Sequence, residues 1–114
     1  MAQSIPPARA VTLQEAEELV RHALDPRSPS LPGFGLDSYQ DPDNPDFYFF
    51  EADWDHPSNI GHFAVNKKTG DVWDPFVCSR YHSRRLLQFQ KHVRETIGLS
   101  EQQYLKLSKQ RPIC

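Results

Sequence analysis

Apolar positions recur with two different periods along the chain and divide it into helical and extended segments. The segment V-T-L-Q-E-A-E-E-L-V at residues 11–20 repeats apolar side chains every three to four positions, which is typical of an amphipathic helix. Thr12, followed three positions later by Glu15, forms a capping box and predicts the start of that helix. Asp25-Pro26 predicts its end, because the residue before a proline is disfavoured in the helical region.

Strict alternation begins with F-Y-F-F-E-A-D-W at residues 47–54, whose aromatic side chains favour a strand. One face would carry Tyr48, Phe50, Ala52 and Trp54 toward a core, and the other, half-exposed, would carry Phe47, Phe49, Glu51 and Asp53. The stretch G-H-F-A-V-N-K-K-T-G-D-V-W at residues 61–73 then predicts a hairpin. Gly70 would supply the positive φ of its turn, and the two lysines would form a solvated tip.

Helical periodicity returns after residue 83. Ser83 is a candidate N-cap, Gly98 a candidate C-terminal glycine, and Ser100 with Gln103 a second capping box. The order of elements predicts an α+β fold. Its three- to four-stranded antiparallel sheet would be covered on one face by an N-terminal helix and a C-terminal helix.

With 114 residues the chain is long enough for one core, so we expect a flexible arm at residues 1–10 and a single domain at 11–114. That domain would contain a long Pro-rich acidic loop at residues 25–46, within which L-P-G-F-G-L is a candidate short strand. Loops of this length in a small domain are usually functional or disordered. No apolar run is long enough to span a bilayer and the start lacks a secretory h-region, which predicts a cytoplasmic protein, or a periplasmic one if a leader has been removed.

Charge is divided unevenly along the sequence. Residues 1–75 carry 13 acidic and 5 basic side chains, whereas residues 76–114 carry 2 and 8. Seven acids and no Lys or Arg lie between Asp37 and Asp55. Such a segment is either a solvated loop or a surface that attracts cationic partners. The charges of the basic third belong to an amphipathic helix with few exposed aromatics, so we do not expect nucleic acid as a partner. The lack of a long apolar run predicts no membrane partner either.

Candidate catalytic and metal-binding side chains are few. Cys78, His62 and His82 contain the parts of a thiol or zinc site, but no C-x-x-C or H-E-x-x-H spacing accompanies them. The carboxylates of Glu51 and Asp53 would lie about 7 Å apart, a spacing compatible with glycoside hydrolysis. So short a sheet, however, is too small to form a cleft that binds a sugar chain. We therefore expect no catalytic residue, no metal and no cofactor. A small enzyme centred on Cys78, His62 and His82 stays the alternative, beside a cytoplasmic regulatory binding module.

The two cysteines, Cys78 and Cys114, are too few for a disulfide framework. In the cytoplasm both would be free thiols, whereas in the periplasm they could form a bridge between the last helices and the sheet.

The favoured function is binding to another protein, because aromatic side chains beside carboxylates can form a hot spot for a cationic partner. The predicted contact residues are the apolar anchors Phe34 and Trp54, the acidic residues Asp41, Asp43, Asp46, Asp53 and Asp55, and His56 at the rim.

The segments V-T-L-Q-E-A-E-E-L-V, F-Y-F-F-E-A and G-H-F-A-V-N-K-K-T-G-D-V-W together resemble small bacterial immunity proteins, and most of all the immunity protein 35 group. The hairpin is also similar to the repeat unit of PepSY and cystatin-like domains. The likeness covers residues 11–75, and C-S-R-Y-H-S-R-R-L-L-Q-F-Q departs from it. The resemblance implies a non-enzymatic inhibitor of a co-encoded toxin that is delivered between competing bacteria. From the acidic residues we expect the toxin to have a cationic surface or cleft, and the acidic loop with the adjoining strand ends to enter and block its active site.

Overall fold

The computed structural model describes residues 7–55, 61–109 and 113. The helices are α1 (Leu13–Ala23), α2 (Arg84–Ile97) and α3 (Glu101–Ser108), with a short 3₁₀ turn at Ser28–Ser30. The strands are β1 (Gly35–Tyr39), β2 (Phe47–Asp53), β3 (Gly61–Asn66), β4 (Val72–Asp74) and β5 (Ser79–Arg80). The predicted α+β class is confirmed, with five strands instead of three or four.

The five strands form one antiparallel sheet in chain order, so that each pairs with its sequence neighbour. Helices cover one face. Phe50, Ala52 and Phe63 from that face join Leu19 of α1 and Leu86 of α2 in the main core, where each is at most 3% exposed. The predicted inward face of β2 is thereby confirmed.

The helix ends follow the predicted capping chemistry. The Thr12 hydroxyl accepts a hydrogen bond from the Glu15 backbone N–H, and the Glu15 carboxylate accepts one from the Thr12 backbone N–H. Ser83 caps α2, which ends at Gly98 with φ 80°. The second predicted capping box opens α3.

The face of the sheet away from the helices is more buried than predicted. Phe47 and Phe49 are 7% and 5% exposed, and with Ala64 they form a second apolar cluster. Trp73 and Ile113 pack against this cluster. The prediction of a half-exposed face is wrong at Phe47 and Phe49, because Trp73 and Ile113 pack against their cluster.

The β3–β4 turn has the predicted backbone but not the predicted environment. Gly70 takes φ 75°, as expected. The turn is nevertheless covered by the segment before α1 and by α2: the Val11 N–H donates to the Lys67 carbonyl (2.7 Å), and Gln90 Nε2 donates to the Gly70 carbonyl (3.1 Å). Lys68 is exposed, whereas Lys67 is half-buried and Thr69 is 1% exposed. The predicted solvated tip is therefore wrong for most of this turn.

Two predicted irregular segments contain more order than expected. The segment at residues 25–46 includes the 3₁₀ turn and β1, which pairs with β2 over its whole length. Within the predicted arm, residues 1–6 lie outside the described residues. Arg9 donates from its backbone N–H to the Ile97 carbonyl (3.1 Å) and pairs with Glu15 through its guanidinium (2.7 Å).

Candidate functional site

The strand register divides the predicted contact residues between two ends of the sheet. β1 begins, β2 ends, β3 begins and β4 ends at one end, which we call the Trp54 end. The loop at residues 40–46 and the β3–β4 turn lie at the opposite end, which we call the Asp41 end. About 20 Å separates the two along β2, at roughly 3.3 Å per residue.

Four of the eight predicted contact residues meet at the Trp54 end, and three lie at the Asp41 end. Phe34, Asp53, Trp54 and Asp55 belong to the first group, and Asp41, Asp43 and Asp46 to the second. His56 lies outside the described residues. The acidic run is continuous in sequence, but β1 and β2 separate it into two surfaces.

Two glycines make room for the carboxylates of the Trp54 end. A Cβ on Gly33 would overlap the carboxylate of Asp55, and one on Gly35 would lie 2.9 Å from Asp53 Oδ1. Gly33 also has φ 74°, which disfavours other residues, and the Asp55 N–H donates to the Pro32 carbonyl (3.0 Å). The glycines of L-P-G-F-G-L therefore leave room for two exposed carboxylates beside the backbone at the start of β1.

The aromatic anchors of this end are half-buried. Trp54 and Phe34 both pack against the main core, so each presents part of its ring while the rest is held in place. Trp54 also lines a cleft of about 500 Å³ between the end of α1 and the start of β3, together with Leu24, Leu31 and Phe63. Among the residues that line the cleft, the charged ones are Asp25 and Arg27, and the rest of the lining is mostly apolar.

An ion pair at the rim of the cleft holds the segment after α1. Arg27 donates to both Asp25 carboxylate oxygens, from Nε to Oδ1 (3.1 Å) and from Nη2 to Oδ2 (3.0 Å). These side-chain hydrogen bonds, with one from the Arg27 backbone N–H, lower the pKa of Asp25 to about 2. Asp25 is thus already paired within the chain.

Asp41, at the opposite end, has a structural role. Its carboxylate accepts hydrogen bonds from the Asn44 side chain (2.9 Å) and the Asp43 backbone N–H (3.0 Å), and these lower the pKa of Asp41. Asp43 and Asp46 are exposed. A carboxylate that closes its own turn has less capacity to bind a partner.

The helix-free face carries a like-charged pair near the Trp54 end. Asp37 of β1 lies directly opposite Glu51 of β2, and Asp53 is two residues further along the same face. Within the described residues none of these three carboxylates lies within ion-pair distance of a Lys or Arg. Like charges directly opposite each other destabilise a sheet, which indicates that this acidity is not there to stabilise the isolated fold.

The side chains of the alternative enzyme are not brought together. His62 lies on the helix-free face, where its ring contacts Phe76 at 4.2 Å between centroids. His82 lines a separate cavity of about 310 Å³ on the helix side, with Gln90 and Tyr104. Cys78 is in a disulfide bond, so it is not the free thiol expected of a cytoplasmic protein. The other cysteine of the sequence, Cys114, lies outside the described residues.

Across the described ranges, no group of three or more His, Cys, Asp or Glu side chains is arranged to hold a metal ion. In the same ranges no helix is both long and apolar enough to span a membrane.

Sequence reasoning missed one prominent feature of the Trp54 end. The β4–β5 hairpin tip, residues 75–78, presents Phe76 and Val77 to solvent with 71% and 67% of their surfaces exposed. Two adjacent apolar residues after Asp74-Pro75 were the available signal, but they belong to no periodic pattern.

A comparison with solved structures finds a similar chain in the "Structure of a type VI secretion system effector-immunity complex from Pseudomonas protegens". The two chains are 25% identical with a TM-score of 0.67, over 93% of this chain and 95% of the other. No protein-family model matches the chain, and no curated protein matches it. The immunity protein 35 and PepSY resemblances thus stay predictions, and the chain shares its fold over nearly its whole length with a component of an effector–immunity complex.

Proposed function

We propose that this chain is an immunity protein that binds and neutralises a co-encoded bacterial toxin and has no catalytic activity of its own. The observation that carries the proposal is the similarity, over 93% of the chain, to a component of a type VI secretion system effector–immunity complex. That similarity supports a toxin-neutralising immunity protein in general. The manner of neutralisation is argued from the geometry of the sheet ends.

The geometry favours the immunity component over the toxin. A thiol enzyme would need Cys78, His62 and His82 to meet. Cys78 is disulfide-bonded, and the two histidines lie on opposite sides of the sheet. The exposed features of this chain are instead those of a binding surface, namely oriented carboxylates beside half-buried aromatic rings.

In the proposed complex, the Trp54 end covers a cationic active-site cleft of the toxin and blocks it. Asp53 and Asp55 oppose Lys or Arg side chains, and Trp54 with Phe34 supplies apolar contact. His56 remains the proposed rim residue. Asp43 and Asp46 are about 20 Å away, so their contribution is long-range attraction, which salt screens over about 8–10 Å.

Charge reversal at the two ends tests this proposal. The variant Asp53→Lys/Asp55→Lys and the control Asp43→Lys/Asp46→Lys change net charge equally and replace exposed residues in both cases. Binding would be measured by surface plasmon resonance to the toxin encoded beside this chain. We expect the dissociation constant of the first variant to rise at least about 100-fold. The control should change the association rate constant by about threefold or less.

The same variants should differ in protection. Cells that express the toxin should survive with the wild-type chain or the control variant, and die with Asp53→Lys/Asp55→Lys. Equal binding by both folded variants would reject the Trp54 end as the contact. Absence of binding by the wild-type chain would reject the immunity function itself.

A further inference from the structure

We propose that the β4–β5 hairpin tip is a second, apolar anchor of the toxin interface, and that it enters an apolar pocket of the toxin bordered by Lys or Arg side chains. This inference rests on the proposed function and extends it to residues that sequence reasoning did not select. It is carried by the exposure, the fixed geometry and the position of Phe76 and Val77.

Exposure is the first observation. Hairpin tips are usually built from Gly, Asn, Asp, Pro and Ser, whose polar or small side chains suit water. Here two neighbouring apolar side chains are 71% and 67% exposed, more than any other large apolar residue among those described. Single exposed apolar residues are ordinary on protein surfaces, but adjacent ones at a projecting tip are typical of a contact site.

The tip is also held in one conformation. One oxygen of the Asp74 carboxylate, Oδ1, accepts hydrogen bonds from the backbone N–H groups of Phe76 (2.9 Å) and Val77 (3.3 Å). Its other oxygen accepts one from the Tyr81 hydroxyl (3.4 Å), and the Asp74 carbonyl accepts one from the Cys78 N–H (2.9 Å). A preorganised loop loses little conformational entropy on binding, which is the property expected of an interface anchor.

Position links the tip to the carboxylates of the Trp54 end. The Phe76 ring contacts the His62 ring, and His62 lies directly opposite Glu51 in the sheet. Asp53 follows Glu51 on the same face, so the surface is continuous from the tip to the proposed contact. Because that surface is acidic, the complementary pocket would have a cationic border around an apolar floor.

Removal of the apolar groups tests the inference in the full chain. The variant Phe76→Ala/Val77→Ala is compared with Leu13→Ala/Leu105→Ala, which removes two side chains 48% and 51% exposed on α1 and α3. Against the toxin encoded beside this chain, we expect the tip variant to bind at least about 30-fold more weakly, mostly through faster dissociation. The control should bind as the wild-type chain does.

Salt separates the two parts of the interface. The loss in the tip variant should be the same at low and high salt, whereas the loss in Asp53→Lys/Asp55→Lys should shrink as salt screens the charges. Since Phe76 contacts His62, a second variant, Val77→Lys, guards against a local change of fold. It should weaken binding at least as much, because it places a cation against a cationic border.

Each other outcome overturns the inference. Wild-type affinity in both tip variants, with weak binding by Asp53→Lys/Asp55→Lys, would reject the tip and leave the proposed function standing. No binding by the wild-type chain would reject both. A wild-type dimer in light scattering that becomes a monomer in the tip variant would assign the tip to self-association.

Discussion

Individual glycines connect the sequence to the candidate site. Gly33 and Gly35 flank Phe34, and the space above each is occupied by a carboxylate from the end of β2 or the residues after it. In sequence the two glycines indicate only a loop or a short strand. The β1–β2 register brings them beside the carboxylates of Asp53 and Asp55, and no local sequence pattern specifies that register.

A comparison of two glycines separates backbone strain from this contact. Gly33 and Gly98 have similar positive φ values of 74° and 80°, but a Cβ on Gly98 would meet no heavy atom within 4 Å. Gly98→Ala should therefore lose about 1 kcal/mol of unfolding free energy from strain alone. Gly33→Ala should lose up to about 0.5 kcal/mol more, because the Asp55 carboxylate that it displaces is exposed and the added Cβ would lie 3.0 Å from the Asp55 backbone nitrogen.

Urea unfolding of both variants measures this difference, and toxin binding by Gly33→Ala measures its effect on the site. Equal losses of stability would mean that the Asp55 carboxylate moves away at no cost.

At the scale of elements, the sequence predicted those with strong local signals. Periodicity and capping residues placed all three helices, and alternation placed β2 and β3. β1 and β5 have five and two residues in segments without alternation, so their pairing depends on neighbouring strands. The second apolar cluster was missed because Ile113 comes from a distant part of the chain.

Helix α3 is attached through a polar contact that sequence reasoning did not foresee. The Tyr104 hydroxyl donates to Asp71 Oδ1 at 2.7 Å, and Asp71 is 5% exposed. The other carboxylate oxygen of Asp71, Oδ2, lies 3.7 Å from Arg80 Nη1. Tyr104→Phe should lower the unfolding free energy by about 1–3 kcal/mol, because a buried carboxylate loses its short hydrogen bond.

The matched control is Tyr39→Phe, since the described residues supply no hydrogen bond to the Tyr39 hydroxyl and its ring stacks on Phe49 in either case. Urea unfolding should leave this control within about 0.5 kcal/mol of the wild-type chain. A loss as large as that of Tyr104→Phe would assign the effect to the tyrosine side chain in general.

For the whole molecule, the hydroxyls of two half-buried tyrosines predict how stability depends on alkaline pH. Burial first, and then the neighbouring Asp74 and Asp71, raise the pKa of Tyr81 and Tyr104 from 10 to about 12. The folded state therefore holds these protons more tightly than the unfolded state does. This contribution to stability is complete below pH 10 and is lost as pH rises toward 12.

Urea unfolding across that interval tests the expectation. The wild-type chain should lose stability between pH 10 and 12, and Tyr81→Phe/Tyr104→Phe should lose less over the same interval. If the unfolding free energies of the two proteins fall in parallel between pH 10 and 12, neither hydroxyl has a pKa raised by folding.

The covered β3–β4 turn has a consequence for the order of folding. The turn is local in sequence, yet its carbonyls are bonded by Val11, which precedes α1, and by Gln90 of α2. A nascent hairpin cannot form these bonds from within itself, so its turn is completed only when both helices have docked. The bonds within the turn, such as those from the Lys68 and Thr69 N–H groups to Asn66 Oδ1, are local, so the hairpin can close before the helices dock. Only the carbonyls of Lys67 and Gly70 then wait for Val11 and Gln90, and docking therefore seals a turn that has already formed.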